Sequence, residues 1–285
     1  MMWGKIALAM SAFAANSIFC RLALTQQMID PYSFSLIRML SGALVLALLL
    51  RSTQQLKPNR LHWKGGVYLT GYILAFSVAY VRLDAGLGAL LLFGTVQISM
   101  ALYALYIGEK MTWAKAFGLL LAFSGILILF LPASHAPPVF YVLMMVIAGL
   151  SWAAYSVLGM SSTSPVLMTY QNFLWAIPIC LLLSVGHFDQ VKLHGLGVVF
   201  AVISGTLTSA LAYVLWYKVL KKLDSLTAST VQLSVPCLAL LAGVLLLHEP
   251  FGLKMLLASM MVLSGILLLI FAAQRLKHTD HSSPI

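Results

Sequence analysis

The chain has 285 residues, 61% of them hydrophobic and only 8% charged, with a mean hydropathy of +0.98. A soluble domain carries about 25% charged residues, so this chain cannot cover a water-facing surface and reads as an integral membrane protein. Its formal net charge of +10 sits largely in short loops between apolar runs, the pattern of membrane orientation rather than of nucleic-acid binding.

Ten apolar runs follow one another: 3–24, 31–50, 64–82, 86–107, 113–131, 138–159, 166–185, 195–217, 225–247 and 252–272. Runs of ~20 residues suffice to cross a hydrocarbon core as helices, and the alternating ten-residue strands of a barrel are absent. The predicted fold is all-α, with ten transmembrane helices. The loops between are too short for a soluble domain. Cys20, Cys180 and Cys237 all lie inside apolar runs and read as small core residues, not a disulfide framework. Ser11-Ala12-Phe13-Ala14 could pass for a secretory cleavage site, but the apolar run before it is too short.

With the N-terminus inside, twelve Lys and Arg fall in cytoplasmic segments (among them Arg51, Lys64, Lys115 and Lys218) and four in external ones (Arg21, Arg82, Lys192, Lys254); Arg38 lies within a span. Both termini are therefore expected in the cytoplasm.

The chain also writes one frame twice. Leu83-Asp84, Glu109 and Ser124-Gly125-Ile126-Leu127 return 140 positions later, without a gap, as Leu223-Asp224, Glu249 and Ser264-Gly265-Ile266-Leu267. More weakly, Phe13-Ala14-Ala15-Asn16-Ser17 resembles Trp152-Ala153-Ala154-Tyr155-Ser156, and Pro31 precedes Arg38 by the interval at which Pro165 precedes Asn172. Five spans per copy is an odd number, so the second copy enters the membrane upside down. The expected division is 1–133 for the first five-helix repeat, 138–275 for the second, and 276–285 for a cytoplasmic tail.

These residues resemble the drug/metabolite transporter superfamily, in its ten-helix form with two EamA domains. The resemblance covers nearly the whole chain. It is carried by Gly108-Glu109 and His248-Glu249 closing spans 4 and 9, Pro236, the Ser-Gly-Ile of spans 5 and 10, and Pro31 with Arg38. It implies a central cavity near spans 1–4 and 6–9, peripheral spans 5 and 10, and export of a small metabolite from the cell, across the inner membrane in a bacterium. Val96 stands where the family usually has a proline in span 4. That predicts a span 9 more bent than span 4.

Arg38 is the sharpest candidate for a binding role. An intramembrane Arg is costly and faces a protein interior or wet cavity, and every acid of the chain sits at a span end or in a loop. It reads either as an anchor for a substrate anion or as a structural residue reaching Asp30 or Asp84. Span 1 holds Asn16 and Ser17 but no acid, which disfavours a buried-carboxylate proton relay. Asn16, Gln97, Asn172 and Gln232 are polar at mid-depth and together suggest a shared cavity. Aromatic candidates for its lining are Tyr72, Phe76, Tyr80, Trp152, Tyr155 and Tyr213. Tyr68, Trp216 and Tyr217 read as interfacial belt. Gly118, Gly125, Ala258 and Gly265 are assigned to close packing of spans 5 and 10. Glu109 and Glu249, at helix C-termini where the dipole opposes an anion, require compensation from a Lys or from the start of a helix.

The partners expected are a small-molecule substrate and the lipid bilayer, with no nucleic acid, cofactor or metal, and a monomer or weak homodimer. The seven histidines are scattered and no acid pair recurs within a span, which disfavours the alternative of an integral-membrane enzyme acting on a lipid or isoprenoid. A non-transporting sensor or scaffold would not need polar residues at mid-depth.

Overall fold

A computed structural model describes residues 2–53, 63–106, 108, 111–130, 138–160, 164–220, 231–232 and 234–281. Glu109 and Asp224 lie outside them, as does the start of span 9. The described elements are helical: α1 (Met2–Thr25), α2 (Pro31–Thr53), α3 (Trp63–Tyr80), α4 (Ala85–Tyr106), α5 (Trp113–Phe130), α6 (Val139–Met160), α7 (Pro165–Ser184), α8 (Gly195–Gly205), α9 (Ala212–Leu220), α10 (Ser234–Leu247) and α11 (Leu253–His281). Among the described residues, six helical stretches are long and apolar enough to cross a membrane, and α5, α10 and the apolar part of α11 are shorter apolar helices. Large apolar side chains such as Leu44, Phe117, Leu182 and Leu245 point outward, as a surface facing lipid requires.

Span boundaries fall within a few residues of the hydropathy pattern, with two differences. The run over 195–217 is not one regular helix: a π turn, Thr206–Leu211, joins α8 to α9. The last helix continues to His281, past the predicted end at 272, because Gln274-Arg275-Leu276-Lys277 contains no helix breaker. Pro236 lies within α10.

Helix α5 packs along α11 at the edge of the molecule. Their backbones come close because the place of a side chain on Gly118 is taken by the Gly265 carbonyl. Around the middle, α3 packs on α6 and α7, α2 on α7 and α8, α4 on α6 and α10, and α1 on α8, α9 and α10. Each of these contacts, α2 and α3 with α7 included, joins the first half of the chain to the second. The segments after α1, α3, α7 and α10 meet at one end of the molecule. There the Lys192 N–H donates to Asp30 and Arg21 reaches both Asp84 and Glu249.

Candidate functional site

Arg38 stands one-third of the way along α2, fully buried. Its Nε donates to Ser209 Oγ at 2.8 Å, and its Nη2 donates to the hydroxyls of Tyr213 at 3.1 Å and Tyr72 at 3.3 Å. Its Nη1 makes no hydrogen bond among the described residues. The guanidinium carbon lies 5.4 Å from the Tyr72 ring centroid and 5.3 Å from that of Phe76, within cation–π range. It reaches neither expected acid: Asp30 caps α2 through the Tyr32 and Ser33 N–H groups, and Asp84 pairs with Arg21. The charge is therefore held by neutral hydroxyls and ring faces, with one nitrogen spare.

The π turn is what brings Ser209 there. One extra residue per turn displaces the following side chains by about 100° around the helix axis, and such turns recur at functional sites. Ser204, just before it, and Thr208, within it, donate to Asn16 Oδ1 at 2.6 and 3.1 Å. Asn16 and Arg38 thus each bond across the seam between the two halves of the chain.

Beside them is a small void with room for about one water molecule, lined by Phe13, Asn16, Ser17, Tyr72, Phe76, Leu92, Phe93, Trp152 and Tyr213. Its walls are interlocked rings. Trp152 packs on Tyr72 at 4.8 Å, Tyr213 at 5.0 Å and Tyr155 at 5.6 Å between centroids, and Phe13 meets Trp152, Tyr213 and Trp216. Five of the sequence candidates, Arg38, Tyr72, Phe76, Trp152 and Tyr213, form one connected cluster with Asn16 on its edge.

The other candidates neither line the void nor bond to Arg38, although Tyr80 packs on Phe76 and Tyr155 on Trp152. Tyr80 is buried against Phe76, but its hydroxyl donates to the Ala85 carbonyl. Tyr155 and Asn172 are fully buried further along the seam, where Tyr155 packs against Tyr217. Gln97 and Gln232 are half-buried and neither line the void nor bond to Arg38. Trp216 and Tyr217, expected at the interface, are buried instead, because they follow the π turn that turns them inward. Ser209, Ser204, Thr208 and Phe13 were not anticipated. The run Ser204-Gly-Thr-Leu-Thr-Ser209 was their visible signal, a polar stretch inside an apolar span.

A second polar cluster closes one end of the molecule. Arg21 donates to Asp84 at 2.9 Å and Glu249 at 3.2 Å, and to the Tyr80 and Val81 carbonyls at 3.2 and 3.4 Å. Both Glu249 oxygens accept from the Ala85 N–H, at 2.9 and 2.8 Å. The anion at the end of α10 is compensated by this arginine and by the N-terminus of α4, not by a lysine. Its position follows from His248, whose left-handed backbone (φ 53°) turns the chain out of α10, and from Gly243, which leaves the space the carboxylate fills.

Burial holds the Asp84 and Glu249 carboxyls above their ordinary values of 3.8 and 4.5, outweighing Arg21 for both and the Ala85 N–H for Glu249. Arg21 from α1 and Tyr80 from α3 face them; fully ionised, the two acids and Arg21 carry one net negative charge. A carboxyl raised in the folded state contributes stability below its unfolded value and loses it as pH rises through the folded value. Thermal stability is therefore expected to fall as pH rises from the ordinary carboxylate range through the raised one, and Glu249→Gln to flatten that slope in melting curves.

A multi-pass, all-helical membrane protein with a charged, aromatic-walled core at the seam of its halves is the class these features define. The chain belongs to the EamA-like transporter family, whose pattern matches residues 2–131 and again 139–271. It is 44% identical over 264 residues to an uncharacterized protein of Pseudomonas aeruginosa, covering 92% of each chain. It is 26% identical over 266 residues to an uncharacterized transporter of Bacillus subtilis, covering 87% of this chain and 90% of that one. One solved crystal structure shares the fold, with a TM-score of 0.64 at 18% identity over 94% of this chain and 99% of that one.

Proposed function

We propose that this protein carries a small carboxylate-bearing metabolite, such as an amino acid, across the cytoplasmic membrane by alternating access between two inverted five-helix halves, residues 1–133 and 138–275. The direction is outward, as the family resemblance implies. The observation that carries the reading is Arg38: a fully buried cation at the seam, held by neutral groups, with Nη1 free beside an aromatic-walled void. A carboxylate is the partner whose two oxygens match the guanidinium fork, and the rings suit an apolar side chain. Rocking of the halves exchanges the Arg38 and Asn16 bonds across the seam for cargo and water.

The test is uptake of labelled solutes into proteoliposomes, as a panel of zwitterions, carboxylates, neutral analogues and organic cations, with and without a pH gradient. Saturable movement of carboxylates or zwitterions supports the proposal. Movement of organic cations alone, or of nothing, overturns it. The orientation carries its own expectation: a cysteine at Lys192 reacts with an impermeant thiol reagent from outside, and one at Ser164 or Met111 does not.

A further inference from the structure

We propose that Arg21, Asp84 and Glu249 form a latch that holds the outer face shut, and that this latch sets the chain's resting state as closed to the outside. The proposal rests on the alternating-access reading but on separate residues.

The latch joins the parts that must separate. Arg21 belongs to α1, Asp84 and Ala85 to the turn into α4, and Glu249 to the turn between α10 and α11. The Arg21–Glu249 pair and the two bonds from Ala85 cross from the first half of the chain to the second. Arg21 and Glu249 are largely shielded from water, with side chains 13% and 9% exposed. Parting the halves at this end leaves the α4 N-terminus and the Glu249 carboxylate without their partners at once, and takes from Arg21 its Nε bond while Asp84 and the Tyr80 and Val81 carbonyls, in its own half, stay with it. Hydrogen bonds to charged groups are the expensive ones to leave unmade.

The sequence supplies this device only once. The repeat returns both acids at the other face, as Asp224 and Glu109, but in the register that aligns Asn16-Ser17 with Tyr155-Ser156 the counterpart of Arg21 is Met160. The arginine is the part of the latch that the sequence does not repeat at that face. An asymmetric latch on a symmetric frame biases the equilibrium toward the state closed at the latched side.

Cys20 provides a native probe. It adjoins Arg21, is fully buried, and faces Ser77 and Arg38 on the inner side of the latch. In a Cys180→Ala, Cys237→Ala background, an impermeant maleimide applied from outside should leave Cys20 nearly unlabelled. Arg21→Gln and Glu249→Ala should each speed labelling on the order of tenfold or more. The double variant should add little to either, because both remove one interaction. Arg21→Lys keeps the charge but not the fork that reaches two acids and two carbonyls, so it should fall between.

Monodispersity and melting temperature in detergent separate latch release from loss of fold. Should Arg21→Gln not fold, Arg21→Lys and Asp84→Asn, which remove part of the network, carry the test. Equal labelling of Cys20 in wild type and folded variants, fast or slow, overturns the latch. Transport that persists in that case leaves the alternating-access reading standing.

Discussion

Methionine in place of Arg38 is expected to weaken a carboxylate cargo by about 2–5 kcal/mol, the range for truncating one partner of a desolvated charge pair. Neutral analogues of the same cargo should lose far less. The guanidinium is buried and its present partners are three hydroxyls, so an incoming carboxylate meets a charge that nothing in its shell has neutralised. Lysine should rescue in part, keeping the charge but not the planar fork. Removing Arg38 leaves the Ser209, Tyr72 and Tyr213 hydroxyls without this donor whichever role it plays, so the difference between charged and neutral ligands, not melting, separates cargo binding from a structural role. Matched charged and neutral ligands, bound to wild type and Arg38→Met, decide it. Equal losses for both return Arg38 to a structural role.

Gly205→Val is expected to destabilise by about 3 kcal/mol or more, the upper end for overpacking. A Cβ at this position collides with the Arg38 carbonyl oxygen and the Ser41 hydroxyl, so the obstacle is the backbone of α2, which cannot swing aside as a side chain does. The position also adjoins the π turn that delivers Ser209 to Arg38. Two effects should appear together: a lower melting temperature and weaker carboxylate binding, with Gly205→Ala milder in both. Unchanged melting in the valine variant would show that α2 and α8 are not in contact here.

Hydropathy made most helices legible, because burying a backbone in lipid leaves few options and each crossing needs a long apolar run. Arg38 was legible for the complementary reason: a charge in such a run is costly and stands out. Of its partners, Tyr72 and Tyr213 stood among the aromatic candidates, and Ser209 did not. Hydroxyls are common in membrane helices, and most here satisfy their own backbone, as Thr70, Ser99 and Ser156 do at the carbonyl four residues back. The polar run from Ser204 to Ser209 marks the stretch, but only the π turn singles out Ser209, by rotating it toward α2. The same rotation explains why Trp216 and Tyr217 resembled an interfacial belt and are core. Arg21 was counted only as an external charge, since its pairing with Glu249 spans 228 positions and no local pattern encodes it. Gln97 and Gln232 looked central by depth alone, and depth does not fix which way a helix faces.

The void beside Arg38 has a consequence for the membrane itself. Among the described residues, the void beside Arg38, walled by Phe13, Phe76, Phe93 and Trp152, has room for about one water and not for a file of them along which protons hop. A charge crossing a membrane releases about 2.3 kcal/mol per 100 mV, so even a thin wet thread through a carrier would drain the cell's potential. Packed rings of this kind act as electrical insulation, and the buried Arg38 guanidinium beside them adds a barrier of its own against passing cations.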